Sequence, residues 1–151
     1  IKLIHTNPEF AQRAFKELFD EGKDVEVRIS RFKFSCDNLL EDYKKDHPTS
    51  IENNHYHDDN RMILLYLAFQ FPKQYTLFDF DSFRRTLVAV GSTKPPLMQD
   101  ITRFIKTSRT FYNFLMKEEA IVKLLEQKLD RQKHSPADSM MMVQDFYRFV
   151  G

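Results

Sequence analysis

Apolar residues recur at intervals of three and four along most of this chain, the spacing that lines one face of an α-helix. The first such stripe is Ala11, Ala14, Phe15 and Leu18. It follows Asn7-Pro8-Glu9, which reads as a helix start: a capping side chain, a proline at the first helical position, and an acid where the dipole favours it. Gly22 is expected to end this helix and Asp24 to cap the next. There Val25, Ile29, Phe32, Cys36, Leu39, Leu40 and Tyr43 form the cleanest stripe in the chain, which stops before His47-Pro48.

Residues 47–60 are polar and aperiodic and read as a loop. Residues 61–71 are apolar almost all round, the mark of a central buried helix, and Pro72 terminates it. Residues 75–78 suggest a short extended segment. Asp79 or Asp81 then caps a helix with Phe80, Phe83, Leu87 and Val90 inward. After a loop at 91–96, Ile101, Phe104, Ile105, Ser108, Phe111 and Leu115 share one side of a long helix. Residues 118–132 continue helical, with Ile121, Leu124, Leu125 and Leu129 inward. Ser135-Pro136-Ala137-Asp138 resembles a capping box opening a last helix that bears Met142, Val143, Phe146 and Phe149. The expectation is an all-α protein: an irregular bundle of six or seven helices forming a single domain over 1–151.

Composition agrees. The chain has only three glycines against fifteen Phe and six Tyr. Tight turns between strands usually need Gly or Asn at positive φ, so glycine poverty favours helices. The single cysteine, Cys36, excludes an internal disulfide and a multi-cysteine zinc site and makes a reducing, cytoplasmic location the default. No apolar run reaches the length of a membrane span, and no signal peptide is visible. The chain starts at Ile1 rather than Met and ends directly after an apolar helix, which reads as a piece of a longer multidomain protein.

Candidate chemistry is sparse. His55, His57, Asp58 and Asp59 could ligate a transition metal if 55–57 were extended, because alternate side chains then point the same way. The competing reading makes Asp58, Asp59 or Asn60 the cap of the following helix, with the histidines on a wet loop, and no metal or other cofactor is assigned. A phosphate-binding loop is missing: Gly91-Ser92-Thr93-Lys94 has one glycine and runs into two prolines. Cys36 lies on an apolar stripe, where a structural thiol is expected rather than a nucleophile. No catalytic residue is identified.

Charge distribution is more informative than net charge, which is +1. Residues 41–60 carry six acids against two lysines, whereas 61–117 carry nine Lys or Arg against three Asp. Arg103, Lys106 and Lys117 lie opposite the apolar stripe of their helix, with Arg84, Arg85 and Arg109 as neighbours. These six are the candidate nucleic-acid contacts, since each cation that meets a phosphate releases counterions. Phe34, Tyr112 and Tyr147 read as exposed aromatics able to stack on bases or meet another domain. The alternative is a structural or oligomerisation domain pairing through Met140, Met141 and Met142.

One segment resembles a known family. The run NHYHDDNR at 54–61, then ILLYLAFQFPKQYTLF at 63–78 and Phe83, is similar to a stretch upstream of the ATPase module in McrB-type restriction proteins, AAA-class motors driven by GTP or ATP. The shared pattern is an aliphatic-Tyr-Leu helix, an aromatic-Pro turn, then Tyr75 and Phe78. Asp79 stands where the family pattern carries Lys. The match covers about 25 residues, which are mostly packing positions. It implies a non-catalytic module preceding a motor in a restriction or phage-defence system, binding DNA or docking a partner. Recognition regions in that family have several unrelated folds, so no residue role transfers.

Overall fold

A computed structural model describes residues 2–130 and 138–151. Every regular element among them is an α-helix: α1 Lys2–Thr6, α2 Pro8–Leu18, α3 Val25–Asp46, α4 Arg61–Gln70, α5 Phe80–Ala89, α6 Ile101–Leu115, α7 Glu119–Lys128 and α8 Met141–Val150. The all-α expectation holds, with one helix more than the pattern predicted. The extra element, α1, is five residues long, too short to carry a stripe. Residues 75–79 are neither helix nor paired strand. The chain, read from sequence as one domain, groups into two compact units, Ile1–Ile63 and Leu64–Gly151.

In the first unit α1 and α2 pack on α3. Asn7 caps α2 by accepting the Phe10 amide, and Asp24 caps α3 by accepting the Glu26 amide, as predicted. Ala11, Ala14 and Leu18 of α2 and Ile29, Phe32, Cys36, Leu39 and Leu40 of α3 are buried. Gly22 does not end α2, which stops at Leu18 with Phe19 as its C-cap. The terminus is satisfied from α3. The buried Arg28 guanidinium donates to the Leu18 carbonyl at 2.8 Å and pairs with Glu21 at 2.6 Å. A cation at a helix C-terminus opposes the dipole's negative end and fills an orphan acceptor. The loop that follows α3 folds back on it: buried Asn54 donates to the Lys33 carbonyl, and Tyr56 meets the Phe32 ring edge-on at 5.4 Å.

The boundary between units falls within α4. Leu64, Leu67 and Ala68 are buried, but Phe69 is 80% exposed, so this helix is less enclosed than its composition suggested. α4 stops just before Pro72, and Tyr75 and Phe78 are buried beyond it. Asp79, not Asp81, caps α5 by accepting the Ser82 amide. The other end of α5 needs its glycine. Gly91 has φ +80°, with its amide on the Val88 carbonyl and the Ser92 amide on the Leu87 carbonyl, the paired bonds of a left-handed helix stop.

α8 packs against α5 and α6. Phe83, Phe104 and Tyr147 form the centre of this unit, with Phe83 and Phe104 edge-to-face at 5.2 Å and Phe83 and Tyr147 at 5.6 Å, a favoured geometry for aromatic quadrupoles. Tyr147 is therefore not an exposed stacking residue. Its hydroxyl lies 2.8 Å from Ser108 Oγ, both fully enclosed. Burial pushes the Tyr147 phenol well above the usual range. Met140 and Met142 are also buried and Met141 is half-buried, so most of the methionine run of the alternative reading faces the interior. α8 begins at Met141, later than the predicted capping box; Ser135, Pro136 and Ala137 lie outside the described residues. The inward residues of α8 are Met142 and Val143, as expected, with Gln144 and Tyr147, and Phe149, expected inside, is 92% exposed.

Candidate nucleic-acid interface

α6 carries three cations and no carboxylate between Ile101 and Leu115. Its buried side is Phe104, Ile105 and Ser108, which turns Arg103, Lys106, Thr110 and Asn113 outward. Successive residues turn by about 100°, so Arg103, Lys106 and Arg109 step around the helix by about 60° each and span about 9 Å of its axis. Of the acids that flank α6, Asp100 is committed to its cap through the Arg103 amide at 2.8 Å, and Glu118 and Glu119 follow only beyond Lys117.

Two of the guanidinium groups are held from behind. Arg103 donates to the Lys94 carbonyl, and Arg109 donates through Nε to the Gln74 carbonyl at 3.2 Å while lying 5.1 Å over the Tyr75 ring. Arginine has five N–H donors, so an anchor of one or two leaves a preordered fork. Lys106 is exposed between them. Lys117 lies just past the end of α6, its ammonium 5.8 Å over the Phe114 ring. Arg84 and Arg85 belong to α5 instead. Arg85 reaches the Gly151 carbonyl at 2.6 Å and Ser82 Oγ at 3.2 Å. The structure thus gathers three of the six predicted residues on one helix, sets Lys117 beside its end, and carries Arg84 and Arg85 on another.

The aromatic part of the predicted surface changes. Phe34 is 65% exposed, but it belongs to the first unit. Tyr112 donates its hydroxyl to the Asp138 carbonyl, and Lys73 pairs with the Asp138 carboxylate, so Tyr112 is tied down within the second unit.

The histidine loop does not meet the condition for a shared metal site. Residues 55–58 form turns rather than an extended strand, with the Asp58 and Asp59 amides both on the His55 carbonyl. His57 Nε2 sits 3.0 and 2.9 Å from the two Asp37 oxygens, and Asn54 holds the same carboxylate at 2.7 Å. Asp59 accepts the Arg61 amide at the start of α4 and grips its guanidinium, which holds its carboxyl below the usual range. Among the described residues no three His, Cys, Asp or Glu side chains converge as metal ligands do. The buried Cys36 thiol is pushed up to about 11, by burial first and the adjacent Asp37 charge second.

Arg28 and Asn54 were not singled out by the sequence pattern. A charged residue one position before Ile29, and one Asn among several in a polar loop, carry no periodic signal. No helix among the described residues is long and apolar enough to cross a membrane. No family model, curated protein or solved structure matches the chain.

Proposed function

We propose that this chain is a non-catalytic binding module that engages duplex DNA through the basic side of α6. Arg103, Lys106 and Arg109 are the principal phosphate contacts, and Lys117, Arg84 and Arg85 extend them. The observation that carries the reading is a fifteen-residue helix with three outward cations and no acid, two of those cations anchored on backbone carbonyls. Anchoring lowers the side-chain entropy lost on binding. Contacts of this kind position a protein on the duplex without reading sequence.

The resemblance of residues 54–83 to McrB-type proteins supplies a context: a recognition or docking module ahead of a restriction motor in the cytoplasm. Asp79 departs from that pattern, and the capping of α5 gives a physical reason for an acid there.

Fluorescence anisotropy with a labelled duplex tests the proposal. Weak, sequence-independent binding, with Kd on the order of 10⁻⁴ to 10⁻⁶ M at physiological salt, is expected. Arg103→Glu with Lys106→Glu should weaken it strongly at physiological salt while leaving the helical circular dichroism spectrum intact. Undiminished binding by that variant refutes the assignment of the surface.

A further inference from the structure

α7 is an amphipathic helix that buries none of its residues. Its apolar side is Ile121, Val122, Leu124, Leu125 and Leu129, with Ile121 39% and Leu124 52% exposed. The charges on that side are informative. At 100° per residue, Glu118 and Lys128 fall on the apolar face, one at each end, while Lys123 and Glu119 pair with each other on the far side at 3.3 Å. Glu118 is the N-cap residue but makes no side-chain cap bond. Glu118, Ile121, Leu125 and Lys128 are spaced three, four and three, the seam of a two-helix coil.

We infer that α7 docks against α7 of a second copy of this chain, antiparallel, about a two-fold axis level with Lys123. In that register Ile121 faces the second copy's Leu125, and the converse, giving two apolar layers. Glu118 of each copy faces Lys128 of the other, closing both ends with opposite charges. A parallel pairing puts Glu118 against Glu118 and Lys128 against Lys128. The charge pattern therefore selects both the partner and the direction, because a self-complementary patch is what a two-fold contact requires. The short seam places the dimer among weak, transient contacts. Neither DNA binding nor the α6 surface enters this inference.

Sedimentation velocity from about 10 μM to about 1 mM spans the range in which so small an interface dissociates. The wild-type chain should shift from monomer to dimer across it. Glu118→Lys alone and Lys128→Glu alone each create like-charge layers at both ends and should weaken self-association by at least about tenfold. Mixing these two variants should restore the dimer, since every end layer is then Lys against Glu. The double swap in one chain should restore it as well. A wild-type chain that stays monomeric throughout, or single variants that dimerise as tightly as wild type, overturns the inference. All four residues are on the surface or half-buried, so circular dichroism should show the variants folded.

Discussion

Replacing Tyr147 by Phe and Ser108 by Ala, singly and together, examines a fully enclosed side-chain contact in the second unit. Tyr147 is fully buried and its hydroxyl meets Ser108 Oγ at 2.8 Å. Removing one partner of such a pair leaves the other unsatisfied, at about 1–3 kcal/mol. Tyr147→Phe should sit at the low end, because the Ser108 hydroxyl can turn to a carbonyl one turn back along α6. Ser108→Ala should cost more, because the phenol has no such local alternative. The ring packing against Phe83 and Phe111 survives in Phe. With both groups gone no orphan remains, so the double variant should lose about as much as one single, a coupling of about 1–2 kcal/mol. Urea unfolding followed by circular dichroism measures all four corners. Costs that add to within about 0.3 kcal/mol would refute the reasoning. The same burial raises the Tyr147 phenol above its ordinary 10.0. The folded state then holds the neutral form, and stability should fall as pH rises past about 10, less steeply in the Phe variant.

Other expectations follow from single residues. Arg28→Met removes a buried cation from the Leu18 carbonyl and Glu21 and should cost about 2–4 kcal/mol in the same assay, the partial exposure of Glu21 keeping it below the largest buried-pair losses. Gly91→Ala meets no neighbouring atom but forces a side chain to φ +80°, so a loss of about 1–2 kcal/mol should come from backbone strain alone. Asp79→Lys, which installs the residue of the McrB-type pattern, removes the α5 cap and should cost about 1 kcal/mol. Cys36 should resist thiol reagents at neutral pH until the protein unfolds. Because its folded value of about 11 lies above the ordinary 9.0, its contribution to stability should decline between those pH values; modification at the rate of a free thiol at pH 8 would contradict this.

The helices were legible where a cap and a long stripe coincided. Asn7-Pro8 and Asp24 marked two starts, and the α3 stripe from Ile29 to Leu40 is the buried one. Legibility failed where the winning interaction is long-range. α2 ends at Leu18 because Arg28, ten residues on, takes its terminal carbonyl, and no local glycine signal reports that. In α8 Met142 and Val143 are buried as the pattern predicted, but Tyr147 takes the inward place expected of Phe149, with a polar partner on α6 for its hydroxyl. A phenol that has a buried acceptor waiting is indistinguishable in sequence from one bound for solvent. The basic side of α6 was readable because three cations at helical spacing need only local geometry. Which carbonyls would hold Arg103 and Arg109 was not, since Lys94 and Gln74 lie in aperiodic segments.

If α6 meets phosphate, duplex binding must fall with salt in proportion to the cations engaged. Three contacts predict that log K falls against log salt with a slope of about −2.7, an affinity loss of roughly 40-fold between 50 and 200 mM; all six cations would steepen this to about −5.4. Arg103→Glu with Lys106→Glu should flatten the slope by about two units. No binding at 50 mM salt, or a slope unchanged in that variant, would contradict the account.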